Sequence, residues 1–213
     1  MLGEEPALRE YVLALCEVAR PRVCLIPTAA ADSEELVQRF DEDFAPLAEV
    51  SHLALFRRTI ADIPAHLLAQ DLIVVSGGNT ASLLAVWRMH GVDTALREAW
   101  ERGVVLSGSS AGGLCWFEGG VTDSFGPVLA PLHDGLGLLP GTFCPHYDSE
   151  PERQPTYRRL VADGTLAPGL AADDYVALRY EGPELAEIVT SHHGARAFRV
   201  DRDGEHPLAL RQL

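Results

Sequence analysis

The chain has 213 residues, 47% of them apolar and 23% charged, with 17 Lys and Arg against 31 Asp and Glu. That length and composition suit one globular domain over 1–213 with one large core, and they exclude a low-complexity or disordered chain. A formal net charge of −14 argues against nucleic acid or an anionic membrane as a partner, since either would need a basic patch to attract it.

The opening Met1-Leu2-Gly3-Glu4-Glu5 has no basic segment leading into an apolar stretch, and no apolar run reaches the length of a membrane span, so the expected location is cytoplasmic. Glu4 to Ala19 reads as a helix, with Leu8, Tyr11, Val12, Leu15 and Cys16 on one face. Arg22 to Pro27 is a short apolar strand, Thr28 to Asp32 a loop, and Ser33 to Phe44 a second helix capped by Asp32 or Ser33. Strands follow at Val50–Leu55 and Asp71–Ser76, then helices at Thr80–Met89 and Thr94–Arg102, with Gly91 and Gly103 marking their ends. Gly103-Val-Val-Leu106 is the next strand, with a helical pattern expected after the turn that follows it. Gly119 to Pro145 is loop-rich with two short strands, Glu152–Ala162 is helical, and β segments fill Leu170–Asp173, Val176–Tyr180, Leu185–Ser191 and Ala195–Val200. Apolar strands separated by helices mean parallel strands covered on both faces. The expected fold is an α/β three-layer sandwich with a mostly parallel central sheet and a β-rich C-terminal part. Cys16, Cys24, Cys115 and Cys144 form no Cys-x-x-Cys pair and read as free buried thiols.

In such sheets ligands bind beyond the carboxyl ends of the strands. Two glycine-rich turns fall there, Ser76-Gly-Gly-Asn-Thr80 and Ser107-Gly-Ser-Ser-Ala-Gly-Gly113. The second is Gly-x-Ser-x-Gly after a strand, the pattern of a nucleophile elbow: the glycines allow a sharp turn and Ser110 sits at its apex. The N–H of Ala111 then faces a developing oxyanion, and the N–H of Gly78 is placed to be the second donor. Asn79 reads equally as a substrate contact and as the cap of the next helix. Cys115 lies beyond the elbow and is not the nucleophile.

A serine needs a base to take its proton. Among His133, His146, His192 and His193, His146 has the best setting, at a strand end after Pro145. His192 and His193 read as a hairpin turn, His133 as a solvated loop residue, and no metal-ligand spacing is evident. The base in turn needs a carboxylate to hold its tautomer. Asp173, Asp174 and Asp123 compete, each against the plainer role of capping backbone N–H groups.

Val75-Ser-Gly-Gly-Asn-Thr80, Gly108-Ser-Ser-Ala-Gly112, Cys144-Pro-His-Tyr-Asp148 and Ala172-Asp-Asp-Tyr-Val-Ala-Leu178, in this order, resemble the peptidase E family of serine peptidases, the aspartyl dipeptidase-like group. The resemblance spans roughly Arg22 to Val200. It implies the fold of class I glutamine amidotransferases with serine in place of cysteine. It implies Ser110 as nucleophile, His146 as general base and Asp174 as third member, with Asp123 in reserve. It also implies Gly78 and Ala111 as oxyanion donors, and no metal or organic cofactor. The expected partner is a small peptide, a homodimer being left open. Founding members cleave dipeptides with N-terminal aspartate, and Arg153 is the candidate to hold that side chain. The residues after Ser110-Ala111 depart from the founding pattern, so strict aspartate preference is not carried over. The rivals are an α/β-hydrolase esterase, whose histidine comes last in the chain, a cyanophycinase-like peptidase, and a non-catalytic amino-acid or peptide binder.

Overall fold

The computed structural model describes residues 5–213, and its contacts divide the chain into two compact units, Met1–Gly113 and Leu114–Leu213. The first unit runs α1 (Pro6–Ala14), β1 (Arg22–Ile26), α2 (Glu34–Phe44), β2 (Glu49–His52), α3 (Ile63–Leu68), β3 (Leu72–Val75), α4 (Thr80–His90), α5 (Val92–Glu101) and β4 (Val105–Gly108). The one-turn helix α6 (Ala111–Leu114) contains the division. The expected first helix starts at Pro6, and Glu4, its expected first residue, lies outside the described residues.

Strands β2-β1-β3-β4 form one parallel sheet in that order. Val23, Leu25, Leu72 and Val74 share a core with Val12 of α1 and with Phe40 and Phe44 of α2, whose rings stack at 4.3 Å. Cys24, Ile26, Ile73 and Val75 alternate with them and are just as buried. Both faces of β1 and β3 are therefore apolar, which is why these strands read as continuous runs rather than alternating ones. Helix α4 is capped at its start by Asn79, whose side chain accepts from the Ser82 N–H at 2.8 Å, and at its end by Gly91 in the left-handed conformation.

The second unit runs β5 (Phe117–Thr122), β6 (Ala130–Leu132), β7 (Leu139–Cys144), α7 (Arg153–Ala162), β8 (Gly169–Ala172), β9 (Val176–Glu181), β10 (Glu184–Thr190), β11 (Ala197–Asp201), β12 (Gly204–Pro207) and β13 (Arg211–Gln212). A six-stranded sheet has the order β12-β11-β8-β7-β5-β6, with β5, β7 and β8 parallel and the rest antiparallel. Strands β13-β10-β9 make a separate three-stranded sheet. Helix α7 packs beside β5, β11 and β12, and its Tyr157, Leu160 and Val161 share a core with Tyr147, Phe198 and Val200. The fold is mixed α/β with mostly parallel sheet strands and helices, richer in β structure after residue 114. No helix among the described residues is long and apolar enough to cross a membrane.

The helical pattern expected after the elbow shrinks to the single turn of α6, because Gly112 and Gly113 support a helix poorly and Phe117 already begins β5. Helix α3 and strands β12 and β13 were not anticipated. They are two to six residues long, too short for periodicity to register.

Candidate active site

The carboxyl ends of β3 and β4 lie side by side, Val75 opposite Gly108. Beyond them the chain makes the two glycine-rich turns. Ser110 has φ +55°, the left-handed conformation that L residues adopt only under constraint. The surrounding glycines show why the turn closes. A Cβ on Gly108 would come within 2.1 Å of the Gly112 carbonyl oxygen, and one on Gly112 within 2.3 Å of the Val75 oxygen. Gly77 lies directly against the serine: its Cβ would sit 3.3 Å from Ser110 Cβ and 3.9 Å from Oγ. Gly78 has φ +136°, with the Ala29 carbonyl where a side chain would be. Ala111 is buried and opens α6, where first-turn N–H groups have no helical acceptor.

In the second unit the expected base and a candidate carboxylate meet. Parallel β7 and β8 pair Cys144 with Ala171, so their carboxyl ends bring the next few residues of each strand together. His146 Nδ1 and Asp174 Oδ1 are 2.6 Å apart, and the two side chains are 29% and 32% exposed. With its proton on Nδ1, the imidazole donates to the carboxylate and leaves Nε2 to accept one. Burial works to raise the Asp174 pKa, but hydrogen bonds from Ser149 and His146 outweigh it and hold the carboxyl below its usual range. Asp174 is therefore held in its ionised form beside the His146 ring. Asp148 accepts the Asp174 N–H at 2.9 Å and fixes that backbone. His146 has φ +56°, while Tyr147 N–H donates to the Ala172 carbonyl at 3.1 Å.

The other candidates have partners of their own. Asp173 is buried, and its Oδ2 accepts from the Arg196 N–H at 2.9 Å and from Nε at 3.3 Å. Burial pushes its pKa up, against the Arg196 hydrogen bonds. Asp123 is exposed in the turn after β5. Asn79 caps α4. Arg153 is only 4% exposed, with its guanidinium on both Glu150 oxygens and on the Val121 carbonyl. Of the other histidines, His133, His192 and His193 are exposed. Cys115 is fully buried, and desolvation drives its thiol pKa far above the usual value, which removes it as a nucleophile. Among the described residues, no cluster of three or more His, Cys, Asp or Glu side chains is arranged to hold a metal ion. Gly77 and Asp148 lie in motifs the sequence singles out, but their individual contacts, Gly77 against Ser110 and Asp148 on the Asp174 N–H, depend on which strand ends are neighbours.

Residues 1–188 match the sequence model of peptidase family S51. A Bacillus subtilis (strain 168) relative, "Uncharacterized peptidase YgaJ", is 45% identical over 204 residues, covering 95% of this chain and 87% of the relative. The crystal structure of a peptidase from an acI-B1 Actinobacterium superposes with a TM-score of 0.73 at 22% identity, over 96% of this chain and 89% of that one. At that identity the likeness speaks for the fold.

Proposed function

Because this chain belongs to peptidase family S51, the peptidase E family, and is a serine-type peptidase, we propose that it hydrolyses dipeptides or short peptides through an acyl-enzyme on Ser110. The observation that carries this reading is the hydrogen-bonded pair of His146 and Asp174, in which an Nδ1–H bond to the carboxylate leaves Nε2 free to act as the base. His146 Nε2 takes the proton from Ser110 Oγ as the oxygen attacks the amide carbonyl. The N–H groups of Gly78 and Ala111 receive the oxyanion, each such donor contributing about 3 kcal/mol to the lowering of the barrier. His146 then passes its proton to the leaving amine, and water, deprotonated by the same imidazole, resolves the ester. Asp174 orients the ring and stabilises the imidazolium without itself taking the proton.

Arg153 has its fork occupied by Glu150 and Val121, so the proposal carries no strict requirement for an N-terminal aspartate. The test is cleavage of Asp-Leu, Ala-Leu and Ala-Phe by the wild type, Ser110→Ala and Asp174→Asn. Ser110→Ala is expected to abolish turnover of every cleaved dipeptide, and Asp174→Asn to lower kcat by roughly 10³-fold or more. Cleavage confined to Asp-Leu would restore the aspartate requirement. Turnover that survives Ser110→Ala would remove the acyl-enzyme.

A further inference from the structure

Six non-glycine residues among those described have positive φ: Glu17, Ala31, Asp32, Ser110, His146 and Tyr175. Two of them are the proposed nucleophile and base. Tyr175, at φ +66°, directly follows the proposed acid. A bulky aromatic residue in this region is a genuine outlier, and such strain persists where the surroundings impose it, most often at functional sites. Here the surroundings are explicit. The Tyr175 carbonyl accepts from the Ser191 N–H at 3.2 Å and from Thr190 Oγ1 at 3.1 Å. Thr190 Oγ1 also takes the His192 N–H at 3.1 Å, and Thr190 itself is buried. These bonds tie the turn after β10 to the residue after Asp174, and they set the ring of His192 flat against that of Tyr175. The centroids are 3.8 Å apart and the planes differ by 11°, yet Tyr175 remains 43% exposed. A tyrosine that merely filled space would be buried. This one is held against its backbone preference, backed by a second ring and turned to solvent, one residue after the Asp174 that pairs with His146.

We infer that the stacked Tyr175–His192 pair is a specificity-determining subsite for an apolar or aromatic side chain on the leaving residue of the substrate. The leaving side follows from the proposed chemistry: His146 hands its proton to the departing amine, and Tyr175 directly follows Asp174, the carboxylate bonded to His146. A flat exposed ring favours large apolar or aromatic side chains by stacking and contact area. The inference rests on the dipeptidase reading above.

The experiment measures kcat/KM for Ala-Phe and Ala-Gly with the wild type, Tyr175→Gly, Tyr175→Phe and His192→Ala. Glycine accepts the positive φ without strain, so Tyr175→Gly removes the ring while relieving the backbone. The wild type is expected to prefer Ala-Phe. Tyr175→Gly should lower the Ala-Phe to Ala-Gly ratio about tenfold, mainly through KM for Ala-Phe. Tyr175→Phe should keep the ratio within about twofold of wild type, and His192→Ala should lower it in the same direction as glycine. A merely structural role would depress both peptides alike and leave the ratio unmoved, which overturns the inference. If the wild type cleaves both peptides with Ser110 dependence and the ratio does not respond to Tyr175, only the subsite falls. If it cleaves neither, the dipeptidase reading falls and takes the subsite with it.

Discussion

Ser110 sits where a side chain is costly. Its left-handed φ of +55° is imposed by a turn that leaves no room for Cβ atoms at Gly108 and Gly112, so the strain is paid for by the surrounding packing. An L residue in this region carries about 1–2 kcal/mol, part of which glycine recovers after the larger entropy of its unfolded chain is deducted. Ser110→Gly should therefore be more stable than Ser110→Ala by about 1 kcal/mol, although both lack the proposed nucleophile. Urea unfolding of the two variants measures the difference. A glycine variant no more stable than the alanine one would mean that the elbow is relaxed rather than strained. The same logic separates Asp173 from Asp174. Adjacent in sequence and identical in chemistry, they have pKa values displaced in opposite directions, because desolvation dominates at Asp173 and hydrogen bonds from Ser149 and His146 dominate at Asp174.

At the level of the element, helix α4 joins packing to the candidate site. Its buried Leu83, Leu84 and Trp87 anchor it, and Asn79 closes its first turn immediately after Gly77 and Gly78. If capping is the main work of Asn79, Asn79→Ala should lose about 1 kcal/mol of stability while Asn79→Asp, an equally good cap, loses little. Thermal melts decide this. A substrate role independent of the cap would appear as activity lost in Asn79→Asp at unchanged melting temperature. Much of this element structure was legible in the sequence. β1 and β3 are uninterrupted apolar runs, and α2, α4 and α5 carry a helical period with a cap or a glycine stop. The elbow was legible too, because its glycines and serine are consecutive. The pairing of His146 with Asp174 came from family resemblance rather than from spacing, since it depends on β7 and β8 being parallel neighbours. The burial of Arg153 was not legible at all: arginine is seldom fully buried, and only the fold shows Glu150 and the Val121 carbonyl enclosing its guanidinium.

For the whole molecule the dominant electrostatic fact is the excess of 31 acidic over 17 basic side chains. Many of the basic groups are spent on surface pairs. Arg57–Glu34 is 88% and 90% exposed and Arg39–Glu35 51% and 77%, and pairs of this kind contribute only about 0–1 kcal/mol each. The uncompensated negative charge repels itself over a range that salt controls, about 30 Å at 0.01 M and about 8 Å at 0.15 M. Self-repulsion weakens the compact state more than the expanded one. Added salt thus relieves a repulsion summed over the whole surface while costing a few weak local pairs, and the first effect is the larger. Raising sodium chloride from about 0.01 M to 0.15 M at pH 7 should increase stability by about 1 kcal/mol and the melting temperature by about 2–4 °C. A melting temperature that falls over the same range would show that the ion pairs, not the net charge, set the electrostatic balance of this chain.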